Sequence, residues 1–292
     1  MQRVPETPTG KRNLIVRKLL FDAHIDEVGV IITEYSDGFA RLAAIGTPDV
    51  RALPASEVEF ALPDGSRAVA VISALPPHLT GGGGNAVAAI EELYADTGGV
   101  PIPVGTFGTF RSQFTSCGDL VVSKSLDNRA SAAVLLDVLR RLEGETLAVE
   151  LTCMFSAQEE VGLRGAAVGA RGVSADLAVV VDVTFGQSPE TRGYDSFTLG
   201  SGVTIGVGPA MNREFTERVR KIADAHSIPY RVEVLPSRSG TNSDVIQLAG
   251  AGAATALISI PVRYMHSPVE TLDLRDLQAA SDLLYHIAKE VT

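Results

Sequence analysis

The chain has 292 residues, 45% of them hydrophobic, with 28 glycines and a formal net charge of -10. Single hydrophobic cores stop growing near ~250 residues, so this length predicts two domains. The acidic balance and the lack of a basic run exclude nucleic acid and anionic membrane surfaces as partners, and no segment reaches the roughly 18 apolar residues of a membrane span.

Met1 to Lys18 is polar and lacks the apolar stretch of a signal peptide, which predicts a soluble protein with a cytoplasmic address. Lys18 to His24 reads as a strand, and so does Val28 to Thr33, closed by the turn signal Ser36-Asp37-Gly38. From Ala44 to Cys117 short β-rich stretches, Val58 to Leu62 and Ala68 to Ser73, alternate with the turn Pro63-Asp64-Gly65 and the run Gly81 to Gly84. A brief helical period marks Ala86 to Tyr94.

After Cys117 strands and helices alternate. Helices are expected over Asn128 to Leu142, Leu163 to Ala170, Arg213 to His226, Asp244 to Ala249 and Leu274 to Glu290. Between them come the strands Leu147 to Phe155, Leu177 to Val183, Val203 to Val207, Tyr230 to Leu235 and Ala254 to Ile260. Near-continuous apolar runs such as Leu177 to Val183 suit strands buried on both faces. The expected fold class is therefore α/β, a mostly parallel sheet flanked by helices, with a small inserted β-barrel-like domain. Residues 1–44 and 118–292 form the α/β domain and 45–117 the insert. Cys117 and Cys153 are too few for a disulfide framework, and Cys153 in its apolar run reads as a reduced, inert thiol.

Ligands gather at the carboxyl ends of strands in such sheets, and several candidate metal ligands fall there. His24 and Asp26 follow the first strand with side chains on one face, so a metal on one ring nitrogen could be paired with a carboxylate orienting the other; a buried, hydrogen-bonded His is the plainer alternative. Asp127 stands either as an N-cap for the helix after it or as a carboxylate bridging two ions. Asp182 interrupts an apolar strand, where an unpaired carboxylate costs several kcal/mol to bury, so a metal or a strong cation is its expected partner. Glu159 and Glu160 point to opposite faces in an extended chain, and both serve one site only if the backbone turns at Gly162. His266 follows the strand ending near Val262, ahead of the stiffening Pro268.

Three carboxylates and two imidazoles make two metal sites, each with one His, one terminal carboxylate and a share of Asp127. With no thiolate in the set, zinc or cobalt is expected, with manganese as a further candidate. Glu159 is then free to act as general base.

Ala23-His24-Ile25-Asp26-Glu27-Val28-Gly29, Ser125-Leu126-Asp127-Asn128-Arg129, Glu159-Glu160-Val161-Gly162 and Ile260-Pro261-Val262-Arg263-Tyr264-Met265-His266-Ser267-Pro268 resemble the signatures of the M42 glutamyl aminopeptidase (tetrahedral aminopeptidase) family, some of whose members carry endoglucanase names. Pro76-Pro77-His78-Leu79 and Gly240-Thr241 fit the same family, and the resemblance spans about residues 20–290. It implies a zinc-peptidase-like catalytic domain that removes N-terminal residues from peptides. It also implies a homo-oligomer, of twelve subunits in many relatives, built through the β-rich insert. By this resemblance one metal takes His24, Asp127 and Asp182, and the other Asp127, Glu160 and His266. Glu159 is the base and Asp26 orients His24. The resemblance further implies a cis bond between Asp127 and Asn128. Two departures stand out. Only 23 residues precede His24, which predicts a trimmed N-terminus, and the family's usual Asp falls at Asn242, with Asp244 the nearest acid.

Two other readings compete. A glycoside hydrolase would use two carboxyls about 5 to 9.5 Å apart and no metal, leaving the histidines idle, and the chain has no Trp for a sugar platform. A non-catalytic or altered-substrate relative would keep the fold as an assembly or peptide-binding scaffold, against which the intact Glu159 argues. His78, His226 and His286 fall outside the site on the peptidase reading, while Arg263 and Tyr264 either line the pocket or pack.

Overall fold

The computed structural model describes residues 16–79, 89–191 and 195–292. The chain opens with β1 (Lys18–His24) and passes at once into a closed antiparallel barrel. Its strands are β2 (Gly29–Ser36), β3 (Phe39–Ile45), β4 (Glu57–Ala61), β5 (Arg67–Ile72), β6 (Tyr94–Asp96) and β7 (Phe107–Phe110), in the order β2-β3-β6-β5-β4-β7. Alternation builds the barrel's interior: along β5, Ala68, Ala70 and Ile72 point inward while Val69 and Val71 face out. The barrel takes in β2 and β3, which span Gly29 to Ile45. The hairpin at Asp37-Gly38 turns Val30, Ile32, Ala40 and Leu42 into the barrel's own core rather than toward the sheet, so the chain leaves the α/β layer directly after β1. The helical period over Ala86 to Tyr94 is not realised where it is described. Ile90–Glu92 is a single 3-10 turn and Tyr94 starts β6; the rest of that stretch, and the run Gly81 to Gly84, lie outside the described residues.

Two short strands, β8 (Thr115–Cys117) and β9 (Leu120–Ser123), lead into α1 (Leu126–Arg141). Then follow β10 (Glu150–Ser156), α2 (Arg164–Val173), β11 (Leu177–Phe185), β12 (Val203–Val207), α3 (Arg213–Ala225), β13 (Tyr230–Val234), α4 (Ser243–Ile246), β14 (Ala254–Val262), β15 (Glu270–Asp273) and α5 (Leu274–Glu290). The main sheet runs β10-β1-β11-β14-β12-β13. Its first four strands are mutually parallel, and β12 meets β14 antiparallel. β15, β9 and β8 make a separate three-stranded sheet.

Helices cover both faces of the main sheet, which is why its strands read as continuous apolar runs. Leu19, Phe21, Val179, Val181 and Ile258 pack with Leu135, Val138, Val219 and Leu284 from α1, α3 and α5. Leu20, Ala178, Val180 and Leu257 face the other way, onto Ala166 and Ala170 of α2 and Ile246 of α4. Because β1, β10, β11 and β14 run in one direction, their carboxyl ends gather at one edge of the sheet. Among the described residues no helix is long and apolar enough to cross a membrane.

Candidate active site

That edge carries the cluster. His24 is the last residue of β1, Asp182 sits near the end of β11, Glu159 and Glu160 follow β10, and His266 lies four residues beyond β14. Asp127 enters from the start of α1, where it and Asn128 depart from helical geometry and the peptide bond between them is cis. Regular helix therefore begins one residue later than a simple N-cap at Asp127 would require.

Each oxygen of Asp127 faces a different imidazole: Oδ1 is 3.1 Å from His24 Nε2 and Oδ2 is 3.2 Å from His266 Nε2. His24 Nε2 is also 3.7 Å from Asp182 Oδ1 and 4.0 Å from Glu159 Oε2, while His266 Nε2 is 3.5 Å from Glu160 Oε2. Both rings are held from behind. His24 Nδ1 lies 3.2 Å from the carbonyl of Asp26, and His266 Nδ1 lies 2.9 Å from the carbonyl of Thr47, so each Nε2 is turned into the cluster.

The Glu159–Glu160 pair does turn. Gln158, Gly162 and Leu163 all take positive φ, and the amides of Gly162 and Leu163 donate to the carbonyl of Glu159. Asp26 accepts from the amides of both glutamates, at 3.1 and 3.2 Å, and so fixes this loop against the His24 ring.

Four carboxyls crowded at this depth cannot all ionise without cations. Burial pushes Glu159 up to about 7 and Glu160 up to about 8, and drives Asp182 well above the usual carboxylate range. Burial acts on Asp127 in the same sense, yet its bonds to the two histidines hold it down at about 2. Burial also opposes a charge on His24, but Asp127 and Asp26 overcome it and drive the ring up to about 12. Positive charge is what the cluster demands, and it is built only from nitrogen and oxygen donors. Tetrahedral coordination at roughly 2.0–2.2 Å places neighbouring ligand atoms about 3.3–3.6 Å apart, close to the 3.1–3.7 Å separations among these Nε2 and oxygen atoms. The residues thus fit divalent ions. Ligand atoms of His24, Asp127 and Glu160, and those of His24, Glu159 and Asp182, each lie within 4.8 Å of one another, so the cluster is one continuous centre.

The profile of the M42 glutamyl aminopeptidase family matches residues 9–283. The chain belongs to this family. A lysyl aminopeptidase of Pyrococcus furiosus is 32% identical over 286 residues, covering 94% of this chain and 82% of the relative. An aminopeptidase from Desulfurococcus kamchatkensis superposes with a TM-score of 0.87 at 33% identity, over 95% of this chain and 81% of that one. The TET1 peptidase of Pyrococcus horikoshii, which can assemble into a tetrahedron or a large octahedral shell, gives 0.82 at 29% identity, over 94% and 84%. As an M42 member the chain is a peptide hydrolase of the aminopeptidase type, and the family implies divalent metals at a site such as this one.

Sequence reasoning passed over three residues that brace the cluster. Glu270 is fully buried and accepts from the amides of Asp127 and His266, at 2.9 and 2.8 Å, tying the two segments together; burial raises its carboxyl to about 7. Its only sequence signal is its place four residues beyond His266. Thr47, which backs the His266 ring, carries no signal at all. Glu27 accepts from Lys124, Ser125 and Arg129 and pins the chain after β1 to the start of α1.

Asn242 faces away from the cavity. It is buried under the sheet edge and donates to Asp22 Oδ2 and Ser156 Oγ, both at 2.8 Å. Asp244 accepts from the amide and hydroxyl of Ser239 and shapes that loop. Met265 lines the cavity, whereas Arg263 donates to the carbonyl of Gln187 and Tyr264 is exposed. His226 and His286 stack at 3.4 Å beside Glu290 and link α3 to α5 away from the cluster. His78 lies in an exposed 3-10 turn of the barrel.

Proposed function

We propose that the chain removes N-terminal residues from peptides with two divalent ions, zinc or cobalt foremost and manganese as a third candidate. His24, Asp127 and Asp182 would hold one ion, and Asp127, Glu160 and His266 the other. The observation that carries this reading is Asp127, whose two oxygens face two separate imidazoles. When bound, such ions polarise a carbonyl and make water acidic enough to lose a proton near neutral pH.

The residues divide the remaining work. Glu159 is in the cluster but further from His24 than Asp127 or Asp182, and burial holds its carboxyl at about 7. A carboxylate left free of the ions can take a proton from the attacking water and return it to the leaving amine. Asp26 orients His24 and the Glu159–Glu160 loop together. The adjoining cavity, of about 370 Å³, offers room for the first side chain of a substrate. We further propose a homo-oligomeric shell, with twelve subunits as the first candidate, joined through the barrel, whose outer face exposes Phe39, Val69, Val71 and Phe107. The two free thiols suit a reducing, cytoplasmic setting.

The test is hydrolysis of aminoacyl anilides and short peptides by metal-stripped protein reloaded with each ion. Glu159→Gln should lower turnover by about 10²–10⁴-fold. Elemental analysis should still find two ions per chain. Absence of release with every ion despite full loading would overturn the aminopeptidase reading and favour a scaffold.

A further inference from the structure

The cavity runs from the cluster along the sheet edge toward β13, and on that far wall stands Glu233. Its Oε1 accepts from Thr184 Oγ1 at 2.6 Å and its Oε2 from Thr204 Oγ1 at 2.7 Å. One hydroxyl on each oxygen fixes the carboxylate and leaves each oxygen a lone pair for another donor. The position is close to the chemistry. Thr184 lies two residues beyond Asp182 on the same face of β11, a step of about 6.6 Å along the strand. Asp182, Ser259 and Thr204 also stand opposite one another on adjacent strands, and the Thr204 hydroxyl ties that row to Glu233, which stands opposite Gly206 two residues further along.

Charge gives the site its sense. Asp127, Glu159, Glu160 and Asp182 balance two divalent ions on the aminopeptidase reading, on which this inference rests. Glu233 is then the carboxylate left without a counter-charge, because neither Lys nor Arg is among the described residues lining the cavity. Leu235, Leu257 and Met265 supply apolar wall to the same cavity, alongside the hydroxyls of Ser239, Thr241 and Ser259. A carboxylate at the far end of a cavity with such apolar wall matches a side chain with a methylene stem and a cationic head.

We propose that Glu233 is a specificity-determining residue that selects a cationic side chain, lysine first and arginine second, at the substrate's N-terminal position. Its carboxylate receives the ammonium or guanidinium in a charge-assisted hydrogen bond while the stem lies along Leu235 and Leu257.

Lysyl, arginyl, norleucyl and glutamyl anilides separate the possibilities, since norleucine keeps the stem of lysine without its charge. The metal-loaded protein should favour lysyl over norleucyl in kcat/KM by about ten- to hundredfold. Glu233→Gln should collapse that ratio to near unity, mainly through KM, and Glu233→Arg should move preference toward glutamyl. Calorimetry gives a second readout: L-lysine should bind the metal-loaded protein more tightly than L-norleucine, and Glu233→Gln should remove the difference. A fall of equal size on lysyl and norleucyl substrates would mean that Glu233 only braces β13, and would overturn the proposal. Turnover of the panel without cationic preference overturns this inference and leaves the aminopeptidase reading standing. Turnover of none of the four overturns both.

Discussion

Asp22 and Asn242 form a buried polar pair beneath the site. Asp22 is fully buried, and burial raises its carboxyl to about 6 against the bonds from Asn242 and Ser156. Its Oδ1 and the Oδ1 of Asn242 have no hydrogen-bond partner among the described residues. Were residue 242 an Asp, two carboxyls would meet at 2.8 Å with no counter-ion between them. Asn242→Asp is therefore expected to destabilise the protein by about 1–3 kcal/mol. Adding Asp22→Asn should recover most of that loss, because one carboxyl would again face one amide. Thermal melts of the two single variants and the double variant check this, and a single Asn242→Asp variant as stable as the parent would refute the pairing.

At the scale of the element, the glutamate loop depends on how α2 begins. The amide of Gly165 donates to the carbonyl of Ala157, and a Cβ on Gly165 would lie 2.2 Å from that oxygen and 2.7 Å from Ala157 N. Gly172, later in the same helix, has open space where its Cβ would go. Gly165→Ala should thus cost roughly 1–3 kcal/mol by overpacking. It should also lower metal-dependent turnover, since Glu159 and Glu160 hang on that junction. Gly172→Ala should gain about 0.5–1 kcal/mol from helix propensity. Urea midpoints and anilide turnover for both variants test the contrast; equal effects would mean that the junction does not hold the loop. This dependence also explains what the sequence made legible. The parallel strands and long helices stood out because apolar runs and helical periods persist over many residues, and the candidate acids and histidines stood out because they interrupt or end those runs. The barrel's β6 and β7, three and four residues long, carry too few alternations to register. Glu270 and Thr47 work through backbone groups of segments remote in sequence, a relation that no local pattern encodes.

Across the whole molecule two hydrophobic cores are separate: Phe60, Phe110 and Leu42 belong to the barrel, and Phe21, Leu135 and Ile258 to the layer of the main sheet that packs on α1, α3 and α5. The cluster joins only segments of the second, namely β1, the start of α1, the loop after β10, β11 and the loop after β14. From the barrel side Thr47 meets the His266 ring through its carbonyl and hydroxyl, and the amide of Asp49 donates to the carbonyl of His266. When cations are withdrawn, Glu159, Glu160 and Asp182 must take up protons or bear buried charge, a cost that falls on the α/β unit and in which the barrel's core has no share. Ions present at about 1,000 times their dissociation constant would stabilise the native state by about 4 kcal/mol per site. Chelation is accordingly expected to lower the melting temperature and to speed amide exchange in β1, β11 and β14 while leaving β3 to β5 of the barrel as protected as before. Hydrogen exchange with and without a chelator reads this directly, and equal loss of protection in barrel and sheet would show that the two cores unfold as one.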